Sequence, residues 1–113
     1  IKYLIKSRMH IIYWVIHMLS SISVRDFLLN KINNNIIDIR SVEKYNNNHI
    51  PGAINIEQNQ LLINASKYLN RNERYYIYCQ KGISSQKLSM ILNNMGYITT
   101  SISGGYEEWV MQS

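Results

Sequence analysis

At 113 residues the chain has room for one hydrophobic core and not two. With 46% hydrophobic and 17% charged residues, one proline and five glycines, it is neither disordered nor collagen-like, and its single cysteine excludes a disulfide framework or a multi-cysteine metal cluster. The net charge of +5 raises nucleic acid or an anionic membrane as partners.

That charge is unevenly spread. Residues 1–20 hold Lys2, Lys6 and Arg8 and no acid, whereas the remainder sets nine Lys and Arg against all seven acids. No basic stripe of the kind that tracks phosphates is present. Arg71-Asn72-Glu73-Arg74 mixes its signs and reads as a solvated turn entering a strand, so nucleic acid is not an expected partner. The leader (residues 1–20) runs from a basic start into an apolar stretch, Ile11 to Leu19, broken only by His17. This stretch falls short of the ~20 residues that span a bilayer, and no A-x-A-like cleavage site follows it. Three readings stand for the leader: a docked amphipathic helix, which we favour, the remnant of a membrane anchor, or residues foreign to the natural protein. The third is raised by a start at Ile1 and by Met18 lying just before the recognisable domain. His10 and His17 would share a helix face, but without a third ligand they read as packing or surface residues, and no metal or other cofactor is expected.

Residues 21–113 read as one domain of alternating short strands and helices. Ser20-Ser21-Ile22 suits a short edge strand. Ser23-x-x-Asp26 is a capping pattern that starts a helix with Phe27, Leu28 and Ile32 on one face. Ile36 to Ile39 reads as a buried strand and Val42 to Tyr45 as a helical turn. Ile50-Pro51-Gly52-Ala53 turns into a strand at Ile54 to Ile56. Gln58 to Leu69 has helical spacing in Leu61, Leu62, Ala65 and Leu69. Tyr75 to Cys79 is apolar and aromatic throughout, as expected of a central strand covered on both faces. A helix from about Ser84 to Asn94 groups Leu88, Ile91, Leu92 and Met95, and Gly96 suits its C-terminal end. Ile98 to Ile102 is a further strand, and Gly104-Gly105 leads into a last helix around Trp109. The alternation predicts an α/β domain with a mainly parallel sheet and helices on both faces. The Asn runs (Asn33 to Asn35, Asn46 to Asn48) are read as composition drift, and no internal repeat is visible.

In such sheets ligands bind beyond the carboxyl ends of the strands, where Cys79 falls. In Cys79-Gln80-Lys81-Gly82-Ile83-Ser84-Ser85 a thiol ends a strand, a short glycine loop follows, and a helix begins. Backbone N–H groups of such a loop, with the helix N-terminus, favour thiolate over thiol, the condition for nucleophilic sulfur chemistry. Ser84 and Ser85 can cap the helix or donate to a bound anion, and Lys81 adds a cation at the mouth. A lone cysteine on a buried strand is also commonly inert packing, so the residues alone leave both readings open.

Several segments together resemble the rhodanese-like family. Asp38-Ile39-Arg40-x-x-Glu43-x-Tyr45 with His49-Ile50-Pro51-Gly52-Ala53-Ile54-Asn55-Ile56 is similar to its amino-terminal signature. Tyr76-Ile77-Tyr78-Cys79-Gln80-Lys81-Gly82 is similar to its active-site strand and loop, and Gly104-Gly105-Tyr106-x-x-Trp109 to its closing signature. The resemblance spans Ser21 to Trp109. It implies a three-layer α/β sandwich with a mainly parallel five-stranded sheet. It also implies a catalytic Cys79 that takes a sulfane sulfur as a persulfide, from a small anionic donor such as thiosulfate. The sulfur then passes to cyanide or to a thiol such as thioredoxin. Gln80, Lys81, Gly82, Ile83, Ser84 and Ser85 would form the cradle. Asp38 and Arg40 would support it, with a buttressing salt bridge the plain reading of that pair, and His49 would fix a turn. A reduced, cytoplasmic setting is the simplest for one free thiol, with a membrane tether through the leader the less favoured arrangement.

The loop departs from the family pattern. Many members carry arginine just after the cysteine and again five positions after it, where this chain has Gln80 and Ser84. Losing both guanidiniums removes fixed positive charge and bidentate anion recognition, so a raised KM for thiosulfate is expected. A cysteine phosphatase of related fold is the competing enzyme class. Its loop ends in an arginine, whereas here the sixth position after Cys79 is Ser85 and no arginine follows Arg74. The stronger competitor is a regulatory or non-catalytic module of this fold with weak sulfur-transfer activity.

Overall fold

The computed structural model describes residues 20–113. The leader helix reading and the His10/His17 pair lie outside the described residues. Five strands form one parallel sheet, β1 (Ser21–Ser23), β2 (Ile36–Asp38), β3 (Ile54–Asn55), β4 (Arg74–Tyr78) and β5 (Ile98–Ser103), in the spatial order β1-β5-β4-β2-β3. Between them run α1 (Val24–Leu29), α2 (Val42–Asn47), α3 (Gln58–Ile63), α4 (Ala65–Tyr68), α5 (Ile83–Asn94) and α6 (Gly105–Gln112). Among the described residues no helix is long and apolar enough to cross a membrane.

Side-chain alternation along the strands builds two cores, one on each face of the sheet. Ile37, Ile39 and Ile77 pack with Leu61, Leu88 and Leu92 beneath α3, α4 and α5. Ile36, Tyr78 and Ile102 pack with Val24, Phe27 and Trp109 beneath α1 and α6. β4 lies between β5 and β2, as its unbroken apolar pattern predicts, and its carboxyl end presents Cys79. Capping follows the sequence: Ser23 Oγ accepts the N–H of Asp26 at 3.0 Å and Ser41 Oγ that of Lys44 at 3.3 Å. Gly96, at φ 96, takes the left-handed position just past α5.

Three local expectations are corrected. The helical run from Gln58 to Leu69 is two short helices, because Asn64 leaves helical backbone angles (φ −119, ψ 38). Leu61, Ala65 and Leu69 still reach the core, but Leu62 stays outside. Of the four apolar residues expected on one face of α5, only Leu88 and Leu92 are buried, while Ile91 and Met95 face outward. On α1, Phe27 is buried and Leu28 exposed, and the helix ends before Ile32.

Candidate active site

Cys79 is the first residue after β4, and only 8% of its surface is exposed. The chain then turns through Gln80 and Lys81 to Gly82, which holds φ 91, and a Cβ there would fall 2.7 Å from the backbone nitrogen of Gly104. Only glycine closes that turn. The turn brings the start of α5 back onto the sulfur. Gly82 N–H donates to Cys79 Sγ at 3.1 Å and Ser85 N–H at 3.4 Å, while the thiol lies 3.5 Å from Ser85 Oγ. Ser85 is fully buried, its hydroxyl reaching Gly82 O at 3.3 Å and Ser101 Oγ at 2.7 Å. It therefore stands behind the sulfur rather than at the mouth, and no side-chain hydrogen bond caps α5.

Two of the loop carbonyls, those of Cys79 and Gln80, are taken up by the last helix. Tyr106 N–H donates to Cys79 O at 2.9 Å and Glu107 N–H to Gln80 O at 3.1 Å. Both donors belong to the first turn of α6, where N–H groups have no partner within the helix. With these two carbonyls held on that side, the N–H groups of Gly82 and Ser85 turn toward the sulfur, the arrangement that binds anions.

Strand register joins the second signature to this loop. Asp38 pairs with Tyr78 across β2 and β4, so Arg40 emerges beside Gln80. Arg40 Nη2 lies 2.7 Å from Asp38 Oδ2, and Nε contacts both carboxylate oxygens at 3.0 and 3.1 Å. Its guanidinium also donates to Asn48 O at 2.6 Å and Gln80 Oε1 at 3.2 Å, and its centre sits 4.1 Å from the Tyr106 ring centroid. Asp38 is fully buried and Arg40 nearly so. Burial works to lower the Arg40 pKa, but hydrogen bonding and charge from Asp38 outweigh it and hold the guanidinium above its ordinary value. Burial likewise pushes the Tyr78 phenol well above its ordinary value, with Asp38 adding to the shift, while its hydroxyl accepts the N–H of Ile50 at 3.0 Å. His49 stacks on Tyr45 and contacts Tyr45 O at 2.8 Å, fixing its turn away from the thiol.

Above the sulfur opens a cavity of about 490 Å3, lined by Cys79, Gln80, Lys81, Ile83, Ser84 and Arg40 together with the α2 residue Lys44. The structure thus gathers the loop residues and the Asp38–Arg40 pair around one thiol. Sequence reasoning missed Lys44, Gln58 and Ser41 in the lining and the clamp formed by α6. The consecutive Gly104-Gly105 before a helix was the available signal for the clamp, whereas nothing in the pattern singled out Lys44. Among the described residues no group of three or more His, Cys, Asp and Glu could hold a metal ion.

The Rhodanese-like domain family model matches residues 24–112. The chain belongs to the rhodanese-like domain family. Escherichia coli thiosulfate sulfurtransferase PspE is 33% identical over 76 residues, which make up 66% of this chain and 73% of PspE. The Bacillus subtilis protein YrkF is 30% identical over a stretch that makes up 66% of this chain but only 40% of YrkF. Among solved structures, a Staphylococcus saprophyticus protein is 32% identical with a TM-score of 0.71, covering 80% of this chain and 92% of that one. A rhodanese-related protein of Thermoplasma volcanium is 25% identical with a TM-score of 0.74, covering 82% and 92%. The five-stranded parallel sandwich is the fold of this rhodanese-like family, and its relatives include proteins named thiosulfate sulfurtransferases.

Proposed function

We propose that this rhodanese-like chain is a sulfurtransferase that carries sulfane sulfur on Cys79. The thiolate attacks the outer sulfur of thiosulfate, the S–S bond breaks, and sulfite leaves with the electron pair, so that Cys79–S⁻ and S–SO3²⁻ become Cys79–S–S⁻ and SO3²⁻. Cyanide or an acceptor thiolate then attacks the terminal sulfur, forming thiocyanate or a new persulfide and returning Cys79–S⁻. The observation that carries this reading is the convergence of the Gly82 and Ser85 N–H groups on Sγ, 3.1 and 3.4 Å away, at the floor of an open cavity. Such fixed donors stabilise negative charge on sulfur without reorganising during the reaction. The chemistry requires a compartment that keeps the lone thiol reduced.

A module of weak activity is the second reading, favoured by Gln80. Its amide is held between Arg40 and Glu107, at 3.2 and 3.5 Å, and supplies no charge of its own. Intact-protein mass spectrometry after thiosulfate treatment separates the two. The sulfurtransferase gains one sulfur atom that cyanide removes and that Cys79→Ser never acquires. No adduct with any sulfane donor would establish the module instead.

A further inference from the structure

The thiol cavity has a neighbour of about 450 Å3 that Cys79 does not line. Arg40, Lys44, Gln80 and Lys81 line both, and beyond them the chemistry differs. The Cys79 cavity has no acid in its lining, whereas the neighbour adds the carboxylate of Glu107. Gln80 stands between the two and is held from both sides. Its Oε1 accepts from Arg40 Nη1 at 3.2 Å, and Arg40 is itself fixed by Asp38 and Asn48. On the other side Gln80 Nε2 donates to Glu107 Oε1 at 3.5 Å, and Glu107 N–H donates to Gln80 O at 3.1 Å. Glu107 is thus fastened by its backbone to the residue after Cys79. It is exposed, and among the described residues no cation lies within ion-pair distance of its carboxylate. A negative charge so placed adds nothing to the binding of thiosulfate, since like charges repel. It has a use in the second half of the reaction.

We infer that Glu107 is a specificity-determining residue for the sulfur acceptor, one that favours a thiol carrying both an ammonium group and a carboxylate, such as a short thiol peptide. This rests on the sulfur-transfer reading above. Once sulfite has left, the acceptor thiolate takes its place over Cys79 and attacks the terminal sulfur. Cys79–S–SH and R–S⁻ become Cys79–S⁻ and R–S–SH, and the electron pair of the broken S–S bond stays with Cys79. A thiol peptide is longer than thiosulfate, so the groups flanking its sulfur extend past Gln80 into the neighbouring cavity. There the ammonium group meets Glu107 while the carboxylate meets the lysines of the shared wall. A ligand of one sign gains only half of this pairing and is repelled by the other half.

Two acceptors that differ in a single charge test this: the dipeptide alanylcysteine and its N-acetyl derivative, which lacks the ammonium group. Cys79 is loaded with sulfur from thiosulfate, excess donor is removed, and the rate at which each peptide strips the sulfur is followed in intact-protein mass spectra. At neutral pH and low ionic strength, Glu107→Gln should lower the ratio of the alanylcysteine rate to the N-acetyl rate about threefold. Glu107→Asp should keep most of the ratio, Glu107→Lys should push it below that of Glu107→Gln, and salt should bring the unmodified protein toward the Glu107→Gln value. A ratio unchanged in Glu107→Gln, or equal loss with both peptides, overturns the assignment of Glu107 while leaving sulfur transfer intact. So does a sulfur adduct that cyanide removes but neither peptide does. Failure of the unmodified protein to gain sulfur from thiosulfate overturns the transfer reading and this assignment with it.

Discussion

Tyr106 donates its backbone N–H to the carbonyl oxygen of Cys79 at 2.9 Å, so the last helix of the fold grips the first residue of the active-site loop. Gly105 makes that grip close enough. It holds φ 63, and a Cβ there would collide with the Cys79 carbonyl and lie 2.8 Å from Gln80 O and Gly82 N. Gly105→Ala is expected to cost about 2–4 kcal/mol, combining left-handed strain with displaced backbone. It should also slow sulfur uptake by the molecules that remain folded. Urea unfolding and the mass-spectrometric assay read the two effects. An unchanged unfolding midpoint would mean that α6 can move away from the loop at no cost.

The Asp38–Arg40 pair is a support whose removal leaves a charge stranded. Asp38 has no exposed surface, and the Arg40 guanidinium is its ion-pair partner at 2.7 Å. Arg40→Met should destabilise the protein by about 3–5 kcal/mol, because the carboxylate stays buried without its counter-charge. Asp38→Asn combined with Arg40→Met should cost less than the two single changes added together. A double-mutant cycle by urea unfolding measures the coupling. Additive behaviour would contradict a pair that works as a unit.

The fold was legible in the sequence because its signals are local and agree with one another. Ser23 caps its helix, β4 is apolar from Tyr75 onward, and Gly96 ends α5. The break at Asn64 was not legible, since Leu61, Ala65 and Leu69 keep helical spacing across it. At the site, Cys79 and its loop could be read because one stretch of chain carries them. Lys44 could not, because it joins the loop only through the side-by-side register of β2 and β4. Arg40 and Gln80 depend on the same register. Their contact at 3.2 Å joins residues forty positions apart, and no periodicity records it.

Tyr78 predicts how stability responds to alkali. Its phenol is pushed above the ordinary value of 10.0 by burial first, so the folded protein keeps the proton that the unfolded chain releases. A folded pKa above the unfolded one gives stability that is complete below the unfolded value and lost as pH rises beyond it. Between about pH 10 and about pH 11 this one group should remove about 1 kcal/mol. The comparison that isolates it is the unfolding midpoint of the unmodified protein against Tyr78→Phe. The variant should be less stable at neutral pH, since Ile50 N–H loses its acceptor, and should fall less steeply in alkali. Parallel slopes for the two proteins would assign the alkaline loss to other groups.

Ser84 offers the direct test of what the missing arginines cost. It lines the cavity beside Ile83, in the first turn of α5, and its side chain makes no capping bond. An arginine there keeps helical backbone angles without strain and can reach an oxyanion with two parallel N–H donors. Ser84→Arg should lower the KM for thiosulfate by about three- to tenfold, as expected for a charge-assisted contact to a small anion. Without a bound anion, a cation at a helix N-terminus is unfavourable by about 0.3–1 kcal/mol, so the free protein should be slightly less stable. Sulfite, the product anion, should recover that loss by binding the new site. A KM that does not fall in Ser84→Arg would show that lost positive charge is not what sets the donor affinity of this loop.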